Sequence, residues 1–233
     1  FQLPIGSSGD LANAVALQSD GKIVIAGHCT VLGGDTFCVA RLHPDGSLDA
    51  SFDGPSGGGN GRFALPRIGT ANDTASALLI QPDGKIVLAG RCSNGGNDDF
   101  CMARLNPDGT LDINFDGPTG NGNGKFLLPI GPYHDFASSV VLQPDGRIVV
   151  AGFCWSNTSI AVIVFCAARL HSDGSLDERF DGPSGTGNGK FLLQIGVGDD
   201  RVNAVALQSD GKIVLAGQCY NSDSSNDDFC VAR

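Results

Sequence analysis

One methionine, one tryptophan and two tyrosines in 233 residues leave this chain poor in the side chains that often line ligand pockets. Positive charge is scarce as well: 15 Lys and Arg stand against 25 Asp and Glu, a net charge of −10. That balance argues against nucleic acid as a partner, because phosphate recognition needs a basic patch. It suits plain solubility, or cations as partners. No apolar run approaches the ~18 residues of a membrane-spanning helix, so no membrane span is expected. No dozen consecutive residues carry helical periodicity, which turns the reading away from helical folds. The chain opens on "FQLPIG" with neither an initiator methionine nor a signal peptide, which reads as a processed product or a piece of something longer.

Glycine, by contrast, is abundant at 34 residues, beside an ordinary hydrophobic content of 41%. The combination points to many short strands joined by tight turns. Eight cysteines in such a chain point to an oxidising compartment, hence to a secreted or cell-surface protein. Two sequons, "NDT" at Asn72 and "NTS" at Asn157, are candidate glycosylation acceptors.

Internal repetition sets the organisation. "LQSDGKIVIAG", "IQPDGKIVLAG", "LQPDGRIVVAG" and "LQSDGKIVLAG" begin at residues 17, 80, 142 and 207. Each follows a segment of the type "FLLPIG" and precedes a cysteine pair ending in "FCVARL" or a variant. Three copies then continue through a connector such as "NPDGTLDINFDGPTGNGNGK". The repeats span 1–62, 63–125, 126–190 and 191–233, read together as one domain over 1–233.

Each repeat reads as four strands: "FLLPIG", then "NAVALQ", then "KIVLAG", then "FCVARL". A "DG" step between two apolar runs is a hairpin signal, since Asp starts the turn and Gly supplies positive φ. "KIVLAG" is apolar on consecutive residues, so both of its faces should be buried between sheets. Four strands per repeat, in small sheets packed face to face, predict an all-β fold: a four-bladed β-propeller of antiparallel blades. The first strand is expected innermost and the fourth at the outer edge.

"QPDGKIVLAG" followed by "FCMARLNPDGTLDINFDG" resembles the delta-sixty repeat family of secreted and surface propeller proteins. All four repeats carry the motif, so the resemblance covers essentially the whole chain. The layout also resembles one unit of a tandem propeller fibre, in which successive propellers string together outside the cell.

The cysteines pair by repeat position: Cys29 with Cys38, Cys92 with Cys101, Cys154 with Cys166, and Cys219 with Cys230. Disulfides closing hairpins fit this spacing better than zinc, whose cysteines come in closer pairs. Asp10, Asp73, Asp135 and Asp200 share one aligned position before the second strand. They read either as caps of their own turns or as a carboxylate ring for Ca²⁺ or Mg²⁺. No cofactor is required on either reading. In the connectors, Asp45, Asp49 and Asp53, with their two sibling sets, recur every fourth residue. That spacing excludes an EF-hand and leaves turn chemistry or a looser calcium loop. Arg41, Arg104, Arg169 and Arg233 recur at the end of the fourth strand and are expected to pin the connector.

Catalysis is not expected. His28, His43, His134 and His171 form no metalloprotease pair, and no nucleophile elbow appears. "GNGNGK" has the wrong spacing for a phosphate loop, and Phe126 stands where Ser or Thr is required.

One segment departs from its siblings. Between Cys154 and Cys166 lie Ile160, Val162, Ile163 and Val164, where the other repeats are small, polar or acidic. On an outer edge such a segment would aggregate unless covered, so it is expected to contact a second copy, the alternative being an extended hairpin folded back on its own blade. The reading is therefore a structural subunit of an extracellular fibre or surface assembly that polymerises with itself. The alternative is a carbohydrate-binding or adhesive propeller, with Trp155 and Tyr220 contributing to an aromatic rim.

Overall fold

Gly21, Gly84, Gly146 and Gly211 take φ values of 83°, 82°, 85° and 83°, a left-handed backbone that other residues resist. The aspartate before each accepts the N–H two residues further on. Every "DG" step thereby folds its flanking runs into an antiparallel hairpin. The computed structural model describes residues 2–58, 60–120, 123–156, 162–182, 187–223 and 226–233.

The hairpins build four sheets. The first holds β1 (Ser8–Leu17), β2 (Ile23–Val31), β3 (Gly34–Leu42) and β4 (Arg62–Ala64). The second holds β5 (Asp73–Ile80), β6 (Ile86–Ser93), β7 (Asp98–Leu105) and β8 (Lys125–Leu128). The third holds β9 (Asp135–Leu142), β10 (Ile148–Trp155), β11 (Ile163–Leu170) and β12 (Lys190–Leu193). The fourth holds β13 (Asp200–Leu207), β14 (Ile213–Asn221) and β15 (Asn226–Ala232). Neighbouring strands are antiparallel throughout, and the described residues contain no helix.

Strand placement differs from the sequence reading in one systematic way. The "FLLP" strand is not the innermost strand of its own repeat; it is the outermost strand of the preceding sheet, so β4, β8 and β12 cover β3, β7 and β11. Two properties explain the exchange. These strands are only three or four residues long, and a proline follows β4 and β8, a residue tolerated at sheet margins. Inward, β1, β5, β9 and β13 are rich in Ala and Ser, small enough for close approach, and they pack in series, β1 on β5, β5 on β9, β9 on β13. The repeat boundaries at 62, 125 and 190 therefore fall beside the strand that links one sheet to the next.

Three apolar clusters fill the three joints between sheets. Successive residues of β6 point to opposite joints: Ile86 and Leu88 join the cluster with the first sheet, Val87 and Ala89 the one with the third. Both faces of "KIVLAG" are buried there, as its continuous apolar run predicts. The row is not closed on itself. Val15 on β1 and Val231 on β15 remain exposed, on the outward faces of the first and fourth sheets.

The apolar segment before Cys166 also differs from expectation. Ile163 and Val164 lie in β11, both buried, and Val162 packs against the cluster between the second and third sheets. Ile163 and Val164 are thus spent inside the chain and do not form an open apolar surface. Ile160 and Asn157 lie outside the described residues.

Candidate functional site

The recurring polar residues converge at the joints. Arg41, Arg104 and Arg169 end β3, β7 and β11, where the connector folds back through a single bridge between leucines (Leu42 with Leu48, Leu105 with Leu111, Leu170 with Leu176). That fold brings a buried aspartate beside each arginine. Nε lies 2.8 Å from Asp49, 2.8 Å from Asp112 and 2.9 Å from Asp177. The same guanidinium planes stack over Phe52, Phe115 and Phe180 at 4.4, 4.5 and 4.9 Å from the ring centroids. Lys22 and Lys85 close the first two sites at 3.2 and 3.1 Å. Desolvation works to raise these three carboxyls, but the hydrogen bonds and flanking cations hold them below the usual carboxylate range.

Two of the arginines also cross a joint. Arg41 Nη1 donates to the Pro107 carbonyl and Arg104 Nη1 to the Ser172 carbonyl, each in the next repeat. The backbone N–H groups of Asp53 and Asp116 cross beside them, to Asp108 and Asp173 carbonyls at 2.7 Å. A third crossing recurs at the other end of the strands. The N–H groups of Asp35, Asp98 and Ile163 donate to Asn72 Oδ1, His134 Nδ1 and Asp199 Oδ1, all at 3.1 Å.

The aligned aspartates serve their own loops. Asp73, Asp135 and Asp200 are fully buried, and Asp10 is exposed. Each accepts from the N–H groups four and five residues earlier, such as Ile130 at 2.7 Å and Gly131 at 2.9 Å for Asp135. Burial raises the carboxyl of Asp73, and pushes that of Asp135 up to about 6. This is the capping arrangement. Among the described residues no three His, Cys, Asp or Glu side chains gather as a cation site. The connector aspartates Asp45, Asp108 and Asp173 likewise accept from Ser47, Thr110 and Ser175 two residues on, which is turn chemistry.

All eight cysteines are paired as their spacing predicts, with Cα–Cα separations of 5.7 to 5.8 Å. Four disulfides fit an oxidising, extracellular setting. The partners are diagonal neighbours across the hairpin, not direct ones. Cys101, Cys166 and Cys230 stand opposite Gly90, Gly152 and Gly217. Those glycines are obligatory for another reason: a Cβ would come within 1.9, 1.9 and 1.8 Å of a carbonyl oxygen of the inner strand.

Two features lay outside the sequence reading. Lys125 and Lys190, in the connector phrase "GNGK", are pushed below the ordinary lysine range by burial. Lys125 Nζ donates to the Arg67 carbonyl near Asp73, and Lys190 lies near Asp135 and Asp99. Their recurrence was visible, but the glycines around them invited a phosphate-loop comparison. The other is the company of Trp155, expected in an aromatic rim with Tyr220: it is joined on the third sheet by His134, while Tyr220 lies on β14 of the fourth. Trp155 stands edge-on to His134 at 5.1 Å, and Tyr133, next to His134 in the chain, is exposed. Asn72 is exposed, with its Oδ1 engaged by Asp35.

The histidines do not converge. His43 and His171 lie 3.7 and 3.9 Å from Asp49 and Asp177, each in its own connector. A cavity of about 620 Å³ between the third and fourth sheets is lined by Phe180, Phe191, Leu193, Ile213 and Leu215, with Arg169 and Lys212 at its edge. Its lining carries no Ser, Thr, Cys, His or Tyr, and its charged groups are Arg169, Asp181, Lys212 and Arg233. Among the described residues no helix is long and apolar enough to cross a membrane.

The family model "Domain of unknown function (DUF5122) beta-propeller" matches the chain over residues 18–52, 81–115, 143–180 and 208–233. No curated protein matches it in sequence. Solved structures of similar shape include a hypothetical protein from Leishmania major, with 12% identity over 93% of this chain and a TM-score of 0.47. A mannose phosphorylase from Leishmania mexicana has 12% identity over 91% and a TM-score of 0.46, and a glucose dehydrogenase 12% over 88% and 0.48. The chain spans 65%, 64% and 56% of those three proteins respectively.

Proposed function

Since the chain belongs to the DUF5122 β-propeller family, we propose that it is a structural component: a disulfide-tied, four-bladed propeller unit of an extracellular fibre or surface layer, built from copies of itself. The observation that carries this reading is where the recurring charged groups go. Arg41, Arg104, Asp49, Asp112, Asp73 and Asp135 are spent on joining sheets and capping loops. A repeated enzyme or receptor would turn some of them toward a ligand. On this reading the protein is not an enzyme, and the fold itself, rigid and covalently tied within each sheet, is its product. The test is electron microscopy and light scattering of secreted, non-reduced protein. Ordered assemblies support the proposal; monodisperse single chains at all concentrations remove it.

A glycan-binding or adhesive role is the second reading, favoured by exposed Trp155, which stands against half-buried His134, and by exposed Tyr133. Aromatic faces of this kind stack on sugars. Trp155 is the chain's one tryptophan, so its fluorescence reports directly on a glycan titration. A flat response across neutral and acidic oligosaccharides removes this reading.

A further inference from the structure

The crossing bond from the third strand of one sheet to the loop before the next sheet's inner strand recurs at all three joints, but its acceptor changes. Asn72 takes it at the first joint and Asp199 at the third, while at the second the acceptor is the imidazole of His134. The residue after the first cysteine of each pair changes as well. Ser93 and Tyr220 stand where the third repeat has Trp155, whose indole meets the His134 ring at 5.1 Å with 66° between the planes.

The second sheet adds charge beside His134. Arg91 Nη1 lies 3.0 Å from Asp98 Oδ2, and the guanidinium stands over the Phe136 ring at 5.2 Å. Asp98 is also the residue whose N–H reaches His134, so one hydrogen bond of 3.1 Å joins the ion pair to the ring pair. By repeat position the first joint offers His28 and Asp35 in place of Arg91 and Asp98, and the third offers Phe153 and Ile163. Among the described residues, the second joint alone sets a histidine–tryptophan pair against an arginine–aspartate pair. Such asymmetry in an otherwise repetitive chain marks a place where the repeat is used and not merely built.

The chemistry of the group points to a class of ligand. Because His134 Nδ1 accepts, the imidazole proton sits on Nε2, which makes that nitrogen a donor. An edge-on neighbour covers at most one face of the exposed indole, and the other remains for the apolar C–H face of a sugar ring. Sugar hydroxyls both donate and accept, and the part-exposed guanidinium and carboxylate of Arg91 and Asp98 supply both kinds of partner. Charge then selects among sugars. Arg91, the one cation of this group, is already paired with Asp98, and the whole chain carries −10, so an acidic sugar meets like charge and no waiting partner. We infer that Trp155, His134, Tyr133, Arg91 and Asp98 bind a neutral oligosaccharide, with one sugar ring on the indole and its hydroxyls on the imidazole and the ion pair. This rests on the glycan-binding reading above and names its ligand class and its selectivity.

Isothermal titration calorimetry of the whole chain tests this. The probes are neutral oligosaccharides of glucose, mannose and N-acetylglucosamine, with oligouronates and sulfated oligosaccharides as the acidic set. The parent should bind at least one neutral series and hold every acidic probe roughly tenfold more weakly or worse. W155A should lose roughly tenfold or more of the neutral affinity, the scale of an aromatic anchor. D98N keeps the backbone N–H to His134 but leaves Arg91 unpaired. It should therefore bind acidic probes more tightly than the parent does, a switch that a merely structural role for Asp98 would not produce. Four intact disulfides and an unchanged melting temperature verify that each variant is folded. Where D98N fails that check, R91Q takes its place and should weaken neutral binding roughly tenfold with no gain for acidic probes. Neutral binding that survives W155A, acidic sugars held as well as neutral ones, or a D98N profile like the parent's overturns the inference and leaves the glycan-binding reading standing. No binding of any probe overturns both.

Discussion

Arg104 donates through Nη1 to the carbonyl of Ser172, a residue 68 positions away in the next repeat, while its Nε holds Asp112 of its own connector. The guanidinium is thus a bolt between two sheets, and one of two cations, with Lys85, that meet the buried carboxylate of Asp112. Lysine cannot replace it, because a single ammonium does not present a planar fork to two acceptors and a ring at once.

Replacing Arg104 with methionine should therefore cost about 3 kcal/mol, the low end of the range for breaking a buried pair, because Lys85 stays beside Asp112. The R104M/D112L pair should cost less than R104M alone. Chemical denaturation of the three variants measures the coupling, and simple additivity would show that the two residues act independently.

Gly152→Ala tests the crowded crossing under the third disulfide. The new Cβ would lie 1.9 Å from the Phe136 carbonyl oxygen, so the inner strand must move. A loss of about 2 kcal/mol or more is expected, within the range for strain in a packed core. Gly58→Ala, with open space around it and an ordinary backbone, should be neutral within about 0.5 kcal/mol. Equal melting temperatures for the two variants would contradict the packing.

The carboxyl of Asp135 is raised above its unfolded value, chiefly by desolvation. Between the unfolded value and about 6 the folded chain then binds the extra proton, so this group's contribution to stability falls as pH rises through that window. Asp135→Asn should flatten the slope of stability between about pH 4 and pH 6. A parent curve with no such slope, or an unchanged slope in the variant, would count against the assignment. Asp49 behaves oppositely: its depressed carboxyl gives stability that is lost only at strongly acid pH.

Ile163 is buried at one end of β11. Ile163→Asp should lower the melting temperature of the isolated chain, a folding defect and not a selective loss of association. An unchanged melting temperature, with association abolished, would instead return this segment to the surface.

The sequence carried the repeat, the hairpin turns, the buried third strand and the cysteine pairs, because each depends on local chemistry. "DG" fixes a turn wherever it stands, and cysteines on the two strands of one hairpin have only one near partner. It misplaced the "FLLP" strand, since nothing local says whether a short strand joins the sheet before or after it. That choice is made by the small residues of β5, β9 and β13, which claim the inner position. The apolar segment before Cys166 was misread for a related reason: the cluster that Val162 and Val164 join is built largely by the second sheet, from another repeat.

Every disulfide closes within one sheet, over sequence separations of 9, 9, 12 and 11, and none links one sheet to the next. Under a pulling force the covalent ties would thus leave the joints unsupported, and the row would yield one sheet at a time. Each step would release less length than its residue count suggests, because the segment sealed between paired cysteines cannot extend. At ~3.4 Å per residue, less the span each disulfide already bridges, single-molecule stretching should show the steps lengthening by about 25–35 Å once a reductant is added.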